Sequence, residues 1–133
     1  MPKDEIDTLK ISYLKELDYS ASLKLLTSIE ASFRIDFGER VYTRKRDPFS
    51  RALRELHKTK GNKASLEDDI FETWKMHTDY GRIISELKGA FKFRHWLAHG
   101  RYWTPKLGRS YDYFDVATIA QLVDNQLGLL TPK

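Results

Sequence analysis

The chain has 133 residues, a formal net charge of +4 and an apolar fraction of 41%, a composition typical of one folded domain and not of a disordered chain. It contains no cysteine, which excludes disulfides, thiolate zinc sites and cysteine nucleophiles. No apolar run approaches the roughly 20 residues that cross a bilayer, and the charged start "MPKDEIDTLK" does not resemble a signal peptide. We therefore expect a single helical domain over residues 1–133, located in the cytoplasm, without a membrane partner.

Helical periodicity dominates the chain, and alternating strand patterns are nearly absent. The first predicted helix covers Glu5–Leu17. The second runs from about Ser20 to Thr43 and carries an apolar stripe at helical spacing, which consists of Leu26, Ile29, Phe33, Phe37 and Val41. A basic cluster, residues 44–46, closes this helix. We interpret it mainly as a favourable partner of the helix dipole, with contact to a phosphate backbone as the alternative.

The third predicted helix has clear signals at both ends. Asp47 is a capping residue, Pro48 stands at the first helical position, and Gly61 ends the helix. Ser65, with Asp68 three places later, forms a capping box that opens a helix through "LEDDIFETWKMH".

Two more helices follow. One carries "YGRIISELKGAFKFRHWLAH" and is expected to stop at Gly100, before the loop "TPKLGRS". Asp112, followed by Asp115, opens the last helix. The predicted fold is all-α, an up-and-down bundle of four to five helices with short extra helices.

The helix predicted over Tyr80–Arg101 has an arginine inside its apolar stripe. At about 100° per residue, one broad face collects the expected core side chains, which are Tyr80, Ile83, Leu87, Ala90, Phe91, Leu97 and Ala98. Arg94 falls in the middle of this face. Because burial of an unpaired guanidinium is costly, Arg94 must be paired or must open onto a cleft.

Glu30 offers a purely structural explanation, because it falls within the apolar stripe of the second helix. A buried Glu30–Arg94 pair would account for both residues without any chemistry. A structural pair with Glu30 and a catalytic role of Arg94 are compatible, since an acidic partner can also orient a catalytic arginine.

His95 and His99 lie four residues apart at the edge of the stripe. A structural or solvated role is the alternative for both histidines.

Phe93 and Trp96 lie on a different side of the same helix and give it a second apolar surface. Such a helix is either central to a bundle or shared with a partner subunit. If it is shared, Arg94 and the histidines would lie near a groove between two protomers.

The segment "RHWLAH" resembles the signature of the HEPN superfamily of small helical ribonucleases. That signature is an arginine and a histidine separated by four to six residues, usually with a polar residue directly after the arginine. Arg94, His95 and His99 match these positions, and the resemblance in architecture covers essentially the whole chain. One subgroup, the toxins paired with a minimal nucleotidyltransferase, has a tyrosine two residues after the histidine. This chain has Arg101 there and Tyr102 one place later, so it departs from that subgroup.

The resemblance implies cofactor-free, metal-independent cleavage of RNA, in which the 2′-hydroxyl attacks its own phosphate and leaves a 2′,3′-cyclic phosphate. His99 would act as general base or acid, Arg94 would bind the phosphate, and His95 would assist. Arg101, Tyr102 and Glu30 are the expected substrate-binding residues. The site would be composite, formed by a homodimer. A role in toxin–antitoxin systems or phage defence follows, with an antitoxin protein as a candidate partner.

Two other functions compete with this interpretation. His95 and His99 have the spacing of a zinc helix, with His57, His77 or a carboxylate as the third ligand, but "HWLAH" lacks the glutamate of "HExxH". The second alternative is a non-catalytic, HEPN-like dimeric module that binds RNA or protein.

Overall fold

Helices form most of the backbone that this computed structural model describes, which is residues 2–98 and 111–129. Five α-helices follow one another: α1 (Lys3–Thr43), α2 (Pro48–Lys60), α3 (Phe71–His77), α4 (Gly81–Ala98) and α5 (Tyr113–Leu122). A 3₁₀ turn at Gly61–Lys63 and π-helical turns at Leu66–Ile70 and Val123–Leu127 complete the described elements. The predicted all-α helical bundle is confirmed, and the two described ranges contain no strand.

Helix α1 is one continuous helix of 41 residues, so the predicted break between Leu17 and Ser20 is wrong. Residues 3–37 contain neither glycine nor proline, so nothing in the backbone interrupts the helix. At about 1.5 Å per residue the helix is roughly 60 Å long. Residues 3–17 are exposed throughout, whereas the rest of the helix packs on the bundle. The helix ends at Arg44, which adopts a left-handed conformation with φ 52°.

The core lies along the second part of α1, which contacts α2, α4 and α5. The predicted stripe is confirmed, because four of its members are buried, namely Leu26, Ile29, Phe33 and Phe37. Phe33 meets Phe71 and Trp74 edge-on, with ring centroids 4.9 and 5.5 Å apart. No helix in the described ranges combines the length and apolar content that a membrane span requires.

The predicted signals at α2 and α5 correspond to real caps. The Asp47 carboxylate accepts a hydrogen bond from the Ser50 backbone N–H at 2.9 Å, and this bond lowers the pKa of Asp47. Gly61 follows the last residue of α2 with φ 58°, in the region that favours glycine. Asp112 and Asp115 form a reciprocal capping box at α5, with N–O distances of 2.7 and 3.2 Å.

The predicted capping box at Ser65 is only half correct. The Ser65 hydroxyl accepts the Asp68 N–H at 3.1 Å, as expected. The Ser65 N–H donates to the carboxylate of Asp69, at 2.7 Å, and not to that of Asp68. The physical reason is the π-helical turn that starts at Leu66, since its wider winding moves the returning side chain one position along the chain.

Helix α4 is described to Ala98, so the predicted stop at Gly100 lies outside the described residues. The second apolar surface of this helix is used within the bundle. Phe93 is buried and packs against Tyr19 of α1 and against Tyr111, with centroid distances of 6.1 and 6.0 Å. Trp96 stacks on Phe93 at 5.5 Å. The chain's own core therefore covers Phe93, whereas Trp96 is half-buried and lines an open apolar groove beside the first part of α1.

Gly89 allows the buried Tyr111 side chain to lie directly against α4. A Cβ at Gly89 would overlap the Tyr111 hydroxyl oxygen, whereas a Cβ at Gly38 on the exposed side of α1 would meet no atom within 4 Å. Both glycines occupy the interior of an α-helix.

We predict opposite effects for the same substitution at these two positions. Gly89→Ala should lower the free energy of unfolding by about 1–3 kcal/mol because the packing is overfilled. Gly38→Ala should raise it by about 0.5–1 kcal/mol because alanine favours a helix. Urea denaturation of both variants measures the two changes, and a stabilised Gly89→Ala variant would contradict the close contact.

Candidate functional site

Arg94 forms an ion pair with Glu30, which joins α4 to α1. The Arg94 Nη1 atom donates a hydrogen bond to Glu30 Oε1 at 2.8 Å. The side chains are 26% and 27% exposed, so the pair reaches solvent and is not sealed in the core. The pairing that the sequence suggested is confirmed, and it leaves room for a functional role as well.

Arg94 escapes burial because a groove opens beside the last turns of α4. Leu87 and Ala90, which lie on the same face, are fully buried. The groove measures about 470 Å³ and is lined by Arg94 and Glu30 together with residues of the π-helical turn Leu66–Ile70. The Arg94 guanidinium also lies 5.6 Å from the centre of the Phe91 ring, which adds a cation–π contact. We call this feature the Arg94 groove.

A second arginine, Arg34, completes a three-residue charge cluster. Its Nε atom lies 3.7 Å from Glu30 Oε2, and its Nη1 donates to the Ala64 carbonyl at 3.1 Å. Each carboxylate oxygen of Glu30 thus faces a different guanidinium, and the cluster carries one excess positive charge. The sequence analysis missed Arg34, although its spacing of four residues from Glu30 is a recognisable helix pairing signal.

Glu67 is the second residue that the sequence analysis missed. It lines the Arg94 groove, and burial raises the pKa of its carboxyl above the usual 4.5. The neighbouring charge of Asp68 raises this pKa further, whereas Lys92, Lys88 and His95 act in the opposite direction. A carboxyl group with a raised pKa in a groove is a candidate proton donor or acceptor.

The Arg94 groove contains charges of both signs. Glu30, Glu67 and Asp68 oppose Arg34 and Arg94, which leaves one excess negative charge when His95 is neutral. Protonation of Glu67, whose pKa is raised, would remove this excess. The groove should therefore accept an anionic ligand more readily as the pH falls.

The structure brings three of the expected site residues together. Arg94, Glu30 and His95 all line the Arg94 groove, with His95 exposed. The other three, His99, Arg101 and Tyr102, lie outside the described residues.

The residues proposed for the alternative zinc site are spread over several helices. His57 lies on α2, where its ring is 5.9 Å from that of Phe37, and His77 ends α3. Within residues 2–98 and 111–129, no group of three histidine, aspartate or glutamate side chains could hold a metal ion.

Comparison with known proteins gives no family, since no family model, curated protein or solved structure matches the chain.

Two of the four carboxyl groups in "LEDDIFE", those of Glu67 and Glu72, should affect the pH dependence of stability in opposite directions. The pKa of Glu67 is raised, so the folded chain binds this proton more tightly than the unfolded chain, and stability falls as the pH rises above 4.5. Glu67→Gln should therefore stabilise the protein at about pH 7, and the gain should vanish below the unfolded pKa.

Glu72→Gln is the matched comparison. A hydrogen bond from Lys88 lowers the pKa of Glu72, so its contribution is present above 4.5 and is lost as the pH falls. This variant should be less stable than the wild type at about pH 7 and equal to it in acid. Thermal denaturation of both variants between acid pH and about pH 7 measures these changes. The same pH dependence of stability in the two variants would contradict the opposite pKa shifts of Glu67 and Glu72.

Proposed function

We propose that this chain is a metal-independent endoribonuclease, which cleaves RNA by attack of the 2′-hydroxyl on the adjacent phosphate and leaves a 2′,3′-cyclic phosphate. The proposal combines the resemblance of "RHWLAH" to the HEPN signature with the geometry around Arg94. It needs no cofactor.

The observation that carries the proposal is that Glu30 holds Arg94 at the edge of an open groove. A guanidinium has five N–H donors in a planar fork, and the hydrogen bond to Glu30 comes from Nη1. The remaining donors suit two oxygens of a phosphate, including the charge that grows on them in the transition state. Glu30 is then a positioning residue, because it fixes the direction of the fork.

Proton transfer in this mechanism needs side chains that can give and take up a proton. The resemblance assigns the general base or acid to His99, one turn after His95 on the sequence. His95 lines the groove and would assist in binding the phosphate. Glu67, with its raised pKa, offers another proton donor on the same groove.

A homodimer with a composite site is part of the proposal. Phe93 is buried in the chain's own core, so the contact surface of a second copy must include other side chains. The first part of α1 offers exposed apolar side chains along one side, which are Ile6, Leu9, Tyr13 and Leu17. The resemblance places such a dimer in a toxin–antitoxin system or in phage defence, with an antitoxin protein as partner.

A non-catalytic module that binds RNA or protein is the second candidate. The observation that favours it is the charge of the Arg94 groove, where three carboxylates oppose two guanidinium groups. An excess of negative charge weakens the attraction for a phosphate. Cleavage assays separate the two candidates.

The test is incubation of the protein with total RNA in the presence of EDTA. We expect cleavage to persist, with 2′,3′-cyclic phosphate ends. The rate should fall by about 10²–10⁴ in His99→Ala, as expected for loss of a general acid or base, and by about 10²–10³ in Arg94→Ala. Analysis of the new termini and rates for folded variants provide the measurement.

Arg82→Ala and His77→Ala are the matched controls, because both side chains are exposed and lie outside the Arg94 groove. They should keep the wild-type rate. Loss of cleavage on addition of EDTA would instead support the metal alternative. Salt-sensitive RNA binding without cleavage would support the non-catalytic module.

A further inference from the structure

A second groove lies on the other side of Arg34. It measures about 430 Å³, within the range of about 300–1,000 Å³ that is typical of small-molecule sites. It runs between α1 and the end of α2, and its lining residues are Arg34, Phe37, Gly38, Val41, Tyr42, His57, Gly61, Asn62 and Ala64. None of these lining residues is acidic, and Arg34 carries a positive charge. We call it the Tyr42 groove.

The segment beside this groove is strongly basic. Residues 44–63 contain eight lysines and arginines but only Asp47 and Glu55 as acids, a net charge of +6. The whole chain has a net charge of +4, so the remaining residues together are acidic by two charges. The positive charge of the protein is thus concentrated around α2, although the sequence analysis assigned its first three residues mainly to the helix dipole.

Most of this basic charge is not neutralised within the described part of the chain. Lys58 pairs with Glu55, and Lys60 pairs with Asp69, at 3.3 and 2.9 Å. Six others make no salt bridge to a described residue. Arg54 donates to the Lys45 carbonyl, and the other five are Arg44, Lys45, Arg46, Arg51 and Lys63. All five are exposed. A surface of this kind attracts a polyanion.

The Tyr42 groove also offers aromatic surfaces. Tyr42 lines the groove and is 88% exposed. The exposed His57 ring lies beside the buried Phe37 ring on the groove wall, with ring centroids 5.9 Å apart. Exposed rings beside a basic surface are the combination that binds unpaired bases and the phosphates between them. The amide of Asn62 can donate to and accept from a base edge.

Arg34 connects the two grooves, because it lines both of them. Its Nε faces Glu30 in the Arg94 groove. Its Nη1 donates to the carbonyl oxygen of Ala64, and Ala64 lines the Tyr42 groove. An RNA strand that enters the Arg94 groove would therefore meet Arg34 before it reaches the Tyr42 groove.

We propose that the Tyr42 groove binds an unpaired base of single-stranded RNA, with the basic segment 44–63 in contact with the flanking phosphates. The strand continues past Arg34 to the Arg94 groove. This last step rests on the proposed ribonuclease function, whereas binding in the Tyr42 groove does not. The site favours single strands because a base inside a duplex cannot stack on Tyr42.

The test measures binding of a 2′-O-methyl RNA of about twelve nucleotides, a length within the site sizes of single-strand binders. This RNA cannot be cleaved by 2′-hydroxyl attack, so fluorescence anisotropy reports binding alone. Tyr42→Ala should weaken binding about tenfold, as expected for the loss of one stacked base. A double variant, Lys45→Ala with Arg46→Ala, should reduce the slope of log affinity against log salt by about 1.4.

The controls lie outside both grooves. Phe114 on α5 is 75% exposed, and Lys10 and Lys15 on α1 are exposed as well. Phe114→Ala and the double variant Lys10→Ala with Lys15→Ala should bind as the wild type does. A duplex of the same sequence should not distinguish Tyr42→Ala from the wild type.

The results separate this inference from the proposed function. RNA binding that Tyr42→Ala leaves unchanged, or weakens no more than Phe114→Ala does, would overturn the inference even if Arg94→Ala abolishes cleavage. No binding of the single strand by the wild type would overturn it too. Binding that depends on Tyr42, in a protein that cleaves no RNA, would support the inference and contradict the ribonuclease.

Discussion

The ion pair between Glu30 and Arg94 is the interaction on which both the architecture and the proposed chemistry depend. A guanidinium on the core-facing side of α4 must have a partner, because an unpaired buried charge is costly. Glu30 supplies that partner from α1, at 2.8 Å. The pair fixes α4 relative to α1 and at the same time fixes the guanidinium at an open groove. The structural role and the proposed functional role therefore fall on the same two residues.

Local sequence signals predicted the ends of helices wherever one side chain decides them. Asp47 and Gly61 bound α2, and Asp112 opens α5, because their caps depend on neighbouring backbone groups alone. The predicted break before Ser20 failed because a serine is also accepted inside a helix whose packing supports it. The shift at Ser65 arose from a π-helical turn, which sequence periodicity does not reveal.

The candidate site was predictable where helical periodicity alone places residues. Arg94 and Glu30 each interrupt an apolar stripe, and this pattern identified them as partners. Glu67 could not be identified in the same way, since its role depends on how the turn after α2 packs against α1 and α4. Arg34 does carry a local signal, because it follows Glu30 by four residues on α1. The covering of Phe93 by Tyr19 and Tyr111 is likewise a property of the folded chain.

The central claim is that the planar fork of Arg94, and not only its charge, acts on a phosphate in the Arg94 groove. Arg94→Lys tests it most directly, because lysine keeps the charge and can still pair with Glu30 but lacks the fork. Single-turnover cleavage of RNA in EDTA should be at least tenfold slower in a variant that folds as the wild type does. A wild-type rate for Arg94→Lys, or a wild-type protein that cleaves no RNA, would contradict the claim.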